Sequence, residues 1–482
     1  MAFLRRAVAA QARGHEGSEL VTDLVWPSRE DPVVVAASEG LGGPAGRRIR
    51  PGSSRVMAAL LILTTLVCAL GLLAKQPCRA EAWTGEGIYP HLCYSDIAFL
   101  YRSRGDVVNG GSPYASPDVE HQALEYPVLS GLVIGVVGWV THVVAGDQNE
   151  TDRSRTFFDL TVLVLAACAL ASTWLITRTA GRRPWDAAMF AVAPSLLLAA
   201  YINWDLPAVA LTAGFGLAWA RRRPWLAGVL LGLAIAAKFY PLVLLGPLFL
   251  LCFRSGQLRP FGRVLAATAA SWFVVNLPVR LLWPDGWRSF YTLSQNREAG
   301  FGSPWYALDR SGFYIAQDSL NTIALGLFVV LCLGIAGLAL FAPRRPRLWQ
   351  LGFLVVAAFL ITNKVYSPQY VLWLLALFPL ARPRWRDWMI WQLGEVVYFV
   401  AVWWHLEGLS NPDLGVPEWT HTGATFFRIL TTLWVCGMIV RDIFRPELDP
   451  VRADGADDPH GGFLDGALDK RHLPAHPVPV AG

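Results

Sequence analysis

Asp96 stands between Tyr94 and the amphipathic run Ile97-Ala-Phe-Leu-Tyr101. A carboxylate at such a polar–apolar boundary can have its proton affinity tuned and serve as a general base. The position also fits a helix start, where Ser95 or Asp96 would cap the run that follows. Asp205, in the insert Asn203-Trp-Asp205, is a second candidate carboxylate. Among the cations, Lys238 directly follows an apolar segment and precedes Pro241 by three residues. That places it at a helix break facing a cavity, or else as a lysine snorkelling from a helix end. Asn363-Lys-Val-Tyr-Ser-Pro-Gln-Tyr370 interrupts another apolar stretch and reads as a ligand-facing turn or a polar hairpin tip. Arg102, Arg104 and Arg280 carry the planar donor fork that suits phosphate, with lipid-headgroup contact as the plainer use.

Other chemistries find no pattern. His405 and His421 are far apart in sequence, and His91 and His121 stand singly. There is no His-Glu-x-x-His, Cys-x-x-Cys or Gly-rich phosphate loop, which argues against zinc chemistry and nucleotide hydrolysis. No metal and no cofactor are expected. Five of the seven cysteines lie in or at the ends of apolar segments, whereas Cys78 and Cys93 share one polar loop and form a disulfide candidate.

The elements that hold these residues are membrane helices. The chain is 54% hydrophobic and 16% charged, against about a quarter charged in an average soluble protein, and its mean hydropathy is +0.39. Thirteen apolar segments recur: 57–74, 126–146, 157–177, 187–201, 206–219, 225–237, 241–253, 264–283, 319–342, 349–362, 369–381, 388–404 and 423–440. Only a helix satisfies its own backbone in lipid, and no alternating barrel-like strands appear. The fold class is therefore an all-α polytopic membrane protein with about 12–13 transmembrane helices and a long first outer loop. Residues 1–55, with eight Arg and no long apolar run, read as a disordered basic cytoplasmic arm. Residues 56–445 form the membrane domain, and 446–482, rich in Asp, Pro, Gly and His, read as a disordered tail. No cleavable signal peptide is visible, because some 55 polar residues precede the first apolar run. The net charge of +5 is not a nucleic-acid signature, since most Arg lies in short clusters between apolar runs.

Placing those clusters in the cytoplasm puts Asn203–Asp205, Lys238–Pro241, 284–318, Asn363–Gln369 and 405–422 outside. The N-terminal end disagrees by one crossing. With 1–55 inside, the segments at 57–74, 126–146 and 157–177 leave Arg182 outside, so one segment is re-entrant or one cluster lies outside. The short segments flanking Asn203 and Lys238 read as broken helices, which are tolerated only where they line a protein cavity.

Taken in order, Tyr94-Ser-Asp-Ile, Pro113-Tyr, Glu125-Tyr-Pro-Val-Leu, Asn203-Trp-Asp, Lys238-Phe-Tyr-Pro and Lys364-Val-Tyr-Ser-Pro-Gln-Tyr-Val-Leu-Trp373 resemble bacterial glycosyltransferase family 87 over roughly residues 57–440. That family contains polyprenyl-phosphate-mannose-dependent mannosyltransferases of the GT-C fold. The resemblance implies an outward active site, a lipid-phosphate sugar donor as co-substrate and a catalytic Asp in the first outer loop, at Asp96. It also implies a glycolipid or glycan acceptor, membrane lipid and no nucleic acid as partners, and a multi-pass position in the plasma membrane. Lys238, Lys364, Arg102 and Arg104 are the candidate donor-phosphate ligands. Tyr94, Glu125, Tyr126, Asn203, Asp205, Tyr240, Tyr366, Gln369 and Tyr370 are the candidate substrate contacts. A polyprenyl-linked transporter or flippase would also show broken helices and intramembrane Lys, but no repeated halves are seen. A non-catalytic envelope-assembly protein would need no specific Asp96.

Overall fold

The computed structural model describes residues 54–115, 124–453 and 455–469, which are helical and contain no strand. The chain divides into Met1–Val56 and Met57–Gly482. The expected arm at 1–55 lies, but for its last residues, outside the described residues.

Helix α1 (Ser54–Ala74) runs into a short helix α2 (Gln76–Ala80), and the first loop then carries α3 (Asp96–Ser103) and α4 (Gly105–Val108). Two apolar helices follow, α5 (Val128–Ala145) and α6 (Glu150–Ala180). Next come three interrupted apolar stretches. Short helices α7 (Ala188–Ala191) and α8 (Pro194–Ala199) are parted by residues 200–205 from α9 (Leu206–Ala220). Helix α10 (Pro224–Ala237) stops at Lys238, and a 3-10 turn at Tyr240–Leu244 leads into α11 (Leu245–Ser255). After α12 (Leu258–Leu282), α13 (Pro284–Asn296), α14 (Pro304–Arg310) and α15 (Gln317–Phe341), the third break falls between α16 (Leu348–Thr362) and α17 (Val371–Ala381). Helices α18 (Trp385–Ser410) and α19 (Glu418–Phe444) complete the bundle. Pro207, Pro241 and Pro368 stand in the first turns that follow the breaks, where a missing N–H costs nothing. Among the described residues six helices, α1, α5, α6, α12, α15 and α19, are long and apolar enough to cross a membrane.

One end of the bundle is ionic and gathers the arginine clusters. Arg347 pairs with Asp449 at 2.7 Å and reaches the carbonyls of Leu380 and Ala381. Arg382 is held by Asp387 and Asp442. Arg254 and Arg345 bind Asp469 and Asp457 at 2.6 Å each. The described part of the stretch read as a disordered tail, residues 446–453 and 455–469, packs against the bundle through these contacts, and 470–482 lie outside the described residues. Phe463 sits on Trp219 and Leu464 is buried. In isolation the acidic composition of this stretch reads as solvated. Here Asp449, Asp457 and Asp469 are matched by arginines from separate helix ends, so the cost of ordering is offset by charge-assisted hydrogen bonds.

Helix α5 bears on the crossing conflict. Its first turn is tied to the opposite, cavity end of the bundle, where Ser130 donates to the carbonyl of Ala237, next to Lys238. Its last residue precedes α6 by only a few positions. The start of α6 lies against the first loop, with Asp159 on Arg79, Phe158 on Trp83 and Phe157 on Tyr101. Residues 107–114 run along α5. A Cβ on Gly131 would strike the Tyr114 ring, and one on Gly138 would come within 2.7 Å of the carbonyl of Val107. Both ends of α5 therefore meet cavity-end elements, and length and apolarity alone do not make it a crossing. Without it an even number of apolar segments remains. The arginine clusters then share one end, and Asp96, Asn203, Lys238 and Lys364 share the other.

Candidate functional site

The three helix breaks and the first loop surround a cavity of about 1640 Å³. The first loop is braced from within. Cys78 and Cys93 form a disulfide. Arg102 donates to the carbonyls of Ala82 (2.7 Å) and Trp83 (3.0 Å), two residues with positive φ, and so holds a strained turn. Arg102, a candidate phosphate ligand by sequence, is thereby used inside the loop and is absent from the cavity wall. Arg280 lies over Trp287 and is likewise not on the wall.

Asp96 is on the wall. The cap of α3 is Ser95, whose hydroxyl accepts from the Ile97 amide and donates to the carbonyl of Tyr201. Capping therefore leaves the Asp96 carboxylate free. One of its oxygens accepts from Tyr94 Oη at 2.7 Å, and the other accepts from Asn203 Nδ2 at 2.7 Å. The Asp96 amide donates to the carbonyl of Ile202 at 2.9 Å, which locks the first loop to the first helix break. Burial and the neighbouring carboxylate push the Tyr94 phenol well above its usual range, so it stays protonated and donates.

Asn203 is the hub. Its amide also donates to Tyr126 Oη at 2.7 Å, and its carbonyl accepts from the Trp204 amide and from Lys238 Nζ at 3.3 Å. Lys238 lies 5.0 Å from the Tyr126 ring centre and 3.5 Å from Asp205 Oδ1. Asp205 is fully buried behind this layer, is not on the cavity wall, and accepts from Trp373 Nε1 at 2.8 Å. The second carboxylate is thus set back from the cavity. Tyr240, Trp373 and Tyr370 stack in turn at 4.4 and 4.0 Å and form part of the same wall.

The third break supplies Lys364, whose Nζ donates to the carbonyl of Gln295 at 2.9 Å. Its loop rests on Arg428, which donates to the carbonyls of Tyr366 and Ser367, packs 3.5 Å from the Tyr366 ring centre and pairs with Glu395 at 2.8 Å. Tyr366 is fully buried in this support, while Gln369 keeps a small exposed edge on the wall. Arg104 and Glu125 line the cavity as a loose pair 3.5 Å apart. Among the described residues no group of three His, Cys, Asp or Glu side chains converges as metal ligands.

Sequence reasoning missed Lys75, Arg297 and Arg428. Arg428 had a visible signal, a cation inside an apolar segment. Lys75 follows α1 directly, is buried, and donates to the carbonyl of Tyr94 at 2.8 Å. Burial lowers its pKa from 10.5 to about 7, with Asp96 opposing the shift. The native state therefore sheds this proton near pH 7, whereas the unfolded chain keeps it to about pH 10.4. Between those values the unfolded state binds more protons, so stability rises with pH. Wild type is expected to gain apparent Tm relative to Lys75→Met as pH is raised from 6 to 9. A pH-independent gap between the two would show that the ammonium is not desolvated.

Two comparisons bear on the site. The chain matches glycosyltransferase family 87 over residues 125–368, an interval that contains Asn203, Lys238 and Lys364 and begins after Asp96. It is also 26% identical over 387 residues to a polyprenol-phosphate-mannose-dependent alpha-(1-2)-phosphatidylinositol mannoside mannosyltransferase of Mycobacterium tuberculosis, covering 74% of this chain and 82% of that protein.

Proposed function

The chain belongs to glycosyltransferase family 87, and from that premise we propose that it transfers mannose from a polyprenyl-phosphate donor to a hydroxyl of an envelope glycolipid or glycan at the outer face of the plasma membrane. The single observation that carries the reading is the Asp96 carboxylate, held between the Tyr94 hydroxyl and the Asn203 amide on a large cavity. The acceptor hydroxyl gives its proton to Asp96 as its oxygen bonds the anomeric carbon. The bond from that carbon to the phosphate oxygen breaks, and its electron pair leaves with polyprenyl phosphate. One displacement inverts the anomeric centre. Negative charge grows on the leaving phosphate, and Lys364 on the wall offsets it.

Two further observations support the direction and the donor. The arginine clusters gather at the end opposite the cavity, and positive loops mark the cytoplasmic side. Nucleotide sugars are not available outside, so an outer-face transferase requires a membrane-borne donor. The name of the Mycobacterium tuberculosis relative speaks for polyprenol phosphate mannose in particular.

The test is turnover by the purified full chain in nanodiscs with a panel of polyprenyl-phosphate sugars and glycolipid acceptors. Release of polyprenyl phosphate matched by glycosylated product is expected, with mannose leading. Movement of an intact lipid-linked sugar across the bilayer without bond cleavage would replace this reading with a transporter.

A further inference from the structure

Two lysines reach the cavity from helix breaks, but they differ in what surrounds them. Lys238 is already matched: Asp205 lies 3.5 Å away, Asn203 accepts from it at 3.3 Å, and Tyr126 offers its ring face. An ammonium so engaged is a poor ligand for an incoming anion, because binding would have to compete with a buried carboxylate. Lys364 has no carboxylate partner among the described residues. Among those residues its Nζ hydrogen-bonds only to a main-chain carbonyl, that of Gln295.

That contact brings a third cation into view. The main-chain carbonyl of Lys364 accepts from the Gly300 amide at 2.8 Å. Lys364 is therefore pinned on both sides of Arg297, at Gln295 in the last turn of α13 and at Gly300 beyond it. Arg297 lines the cavity, is exposed, and makes no side-chain hydrogen bond or ion pair among the described residues. Glu298 follows it on the wall and pairs with neither Arg297 nor Lys364. The charge of Arg297 reaches into the site: it holds down the raised pKa of the Tyr94 phenol and adds to the lowering of Lys364.

The segment is also on the lipid side. The carbonyls of Gln295 and Arg297 accept from Asn321 and Gln317 in the first turns of α15. Helix α15 is the long helix least buried by protein, so most of its surface is left for acyl chains. Leu293, Asn321 and Phe359 carry the cavity wall towards it.

We propose that Arg297 and Lys364 together bind the phosphate of the polyprenyl donor at the lipid-side mouth of the cavity, and that Lys238 does not contact it. This rests on the glycosyltransferase reading and assigns its donor subsite. The guanidinium fork takes two phosphate oxygens, the Lys364 ammonium a third, and the polyprenyl chain leaves along α15. The sugar then lies between this pair and Asp96, as an in-line displacement requires.

Farnesyl phosphate, a short-chain form of the leaving group, separates this assignment from the reading beneath it. Its affinity is measured by calorimetry on the full chain in zwitterionic nanodiscs, alongside donor and acceptor KM. Arg297→Gln is expected to weaken farnesyl phosphate binding and raise donor KM by about 10- to 100-fold with acceptor KM little changed. Arg297→Lys should recover part of the loss. The charge-compensated pair Lys238→Gln with Asp205→Asn should leave farnesyl phosphate affinity within about threefold of wild type. If wild type turns over donor and Arg297→Gln binds farnesyl phosphate as tightly as wild type, the assignment is overturned and the transferase reading stands. A comparable loss in the Lys238→Gln pair overturns the exclusion of Lys238. Absence of farnesyl phosphate binding in wild type overturns the subsite, and absence of turnover on any polyprenyl-phosphate sugar overturns the reading it rests on.

Discussion

Asp96→Asn is expected to fold as wild type does and to lose transfer by about 100- to 10,000-fold, the usual cost of removing a general base. The substitution keeps size and shape and removes only the ability to take a proton. Folding is spared because α3 is capped by Ser95, whose hydroxyl accepts from the Ile97 amide. The main-chain bond from residue 96 to Ile202 is likewise independent of the side chain. An amide at 96 can accept from Tyr94 or Asn203 through its oxygen but presents an N–H to the other, so one of the two 2.7 Å contacts is weakened. That change is local, on the order of 1 kcal/mol. The effect on chemistry should therefore be far larger than the effect on stability, and rate measured at matched apparent Tm separates the two. Near-normal transfer by Asp96→Asn would remove the base from this residue.

The candidate site was legible in the sequence where polar residues break apolar runs. Asn203, Lys238 and Lys364 stand out because a polar group inside a membrane domain is costly unless something receives it, and Asp96 stands out because it marks the boundary between the polar first loop and an amphipathic run. What receives each one was not legible. Lys238 and Asp205 carried separate readings, as phosphate ligand and as candidate carboxylate, yet they pair with each other across two different helix breaks. Arg102 has the same sequence signature as a headgroup-binding arginine and is instead spent on Ala82 and Trp83, some twenty residues back. Arg297 sits in a stretch read only as an outer loop, with nothing in its neighbours to say that Lys364 arrives beside it. The helical class and its apolar segments follow from hydropathy alone, because lipid leaves the backbone little choice. The lie of α5 does not. Its hydropathy is that of a spanning helix, and only the glycine face at Gly131 and Gly138 that receives the first loop shows otherwise. The packing of 446–453 and 455–469 was hidden for the complementary reason: the stretch carries no hydrophobic period, and the partners of Asp449 and Asp457 are arginines more than a hundred residues away.

Asp205→Asn tests whether the second carboxylate is chemistry or scaffold, and a loss of stability of about 3–5 kcal/mol is expected, as for breaking other buried ion pairs. Asp205 is fully buried and not on the cavity wall, so its loss is not felt first by an acceptor hydroxyl. It is felt by Lys238, whose ammonium lies 3.5 Å away and would remain buried with only Asn203 and the Tyr126 ring for company. The hydrogen bond from Trp373 can survive, since an asparagine oxygen accepts from it as well. The damage therefore comes from an uncompensated charge, and removing that charge should undo most of it. Asp205→Asn with Lys238→Met is expected to be more stable than Asp205→Asn alone, with a coupling of about 1–3 kcal/mol in the double-mutant cycle. Apparent Tm at one fixed scan rate is the practical readout, because membrane domains seldom unfold reversibly. Transfer by whatever folded Asp205→Asn remains should stay well above that of Asp96→Asn, since Asn203 still holds Asp96 in place. Additive effects in the cycle would mean that the two side chains do not depend on one another. Asp205 would then be free for a role in catalysis, and the assignment of the base would pass to it if Asp96→Asn were also found active.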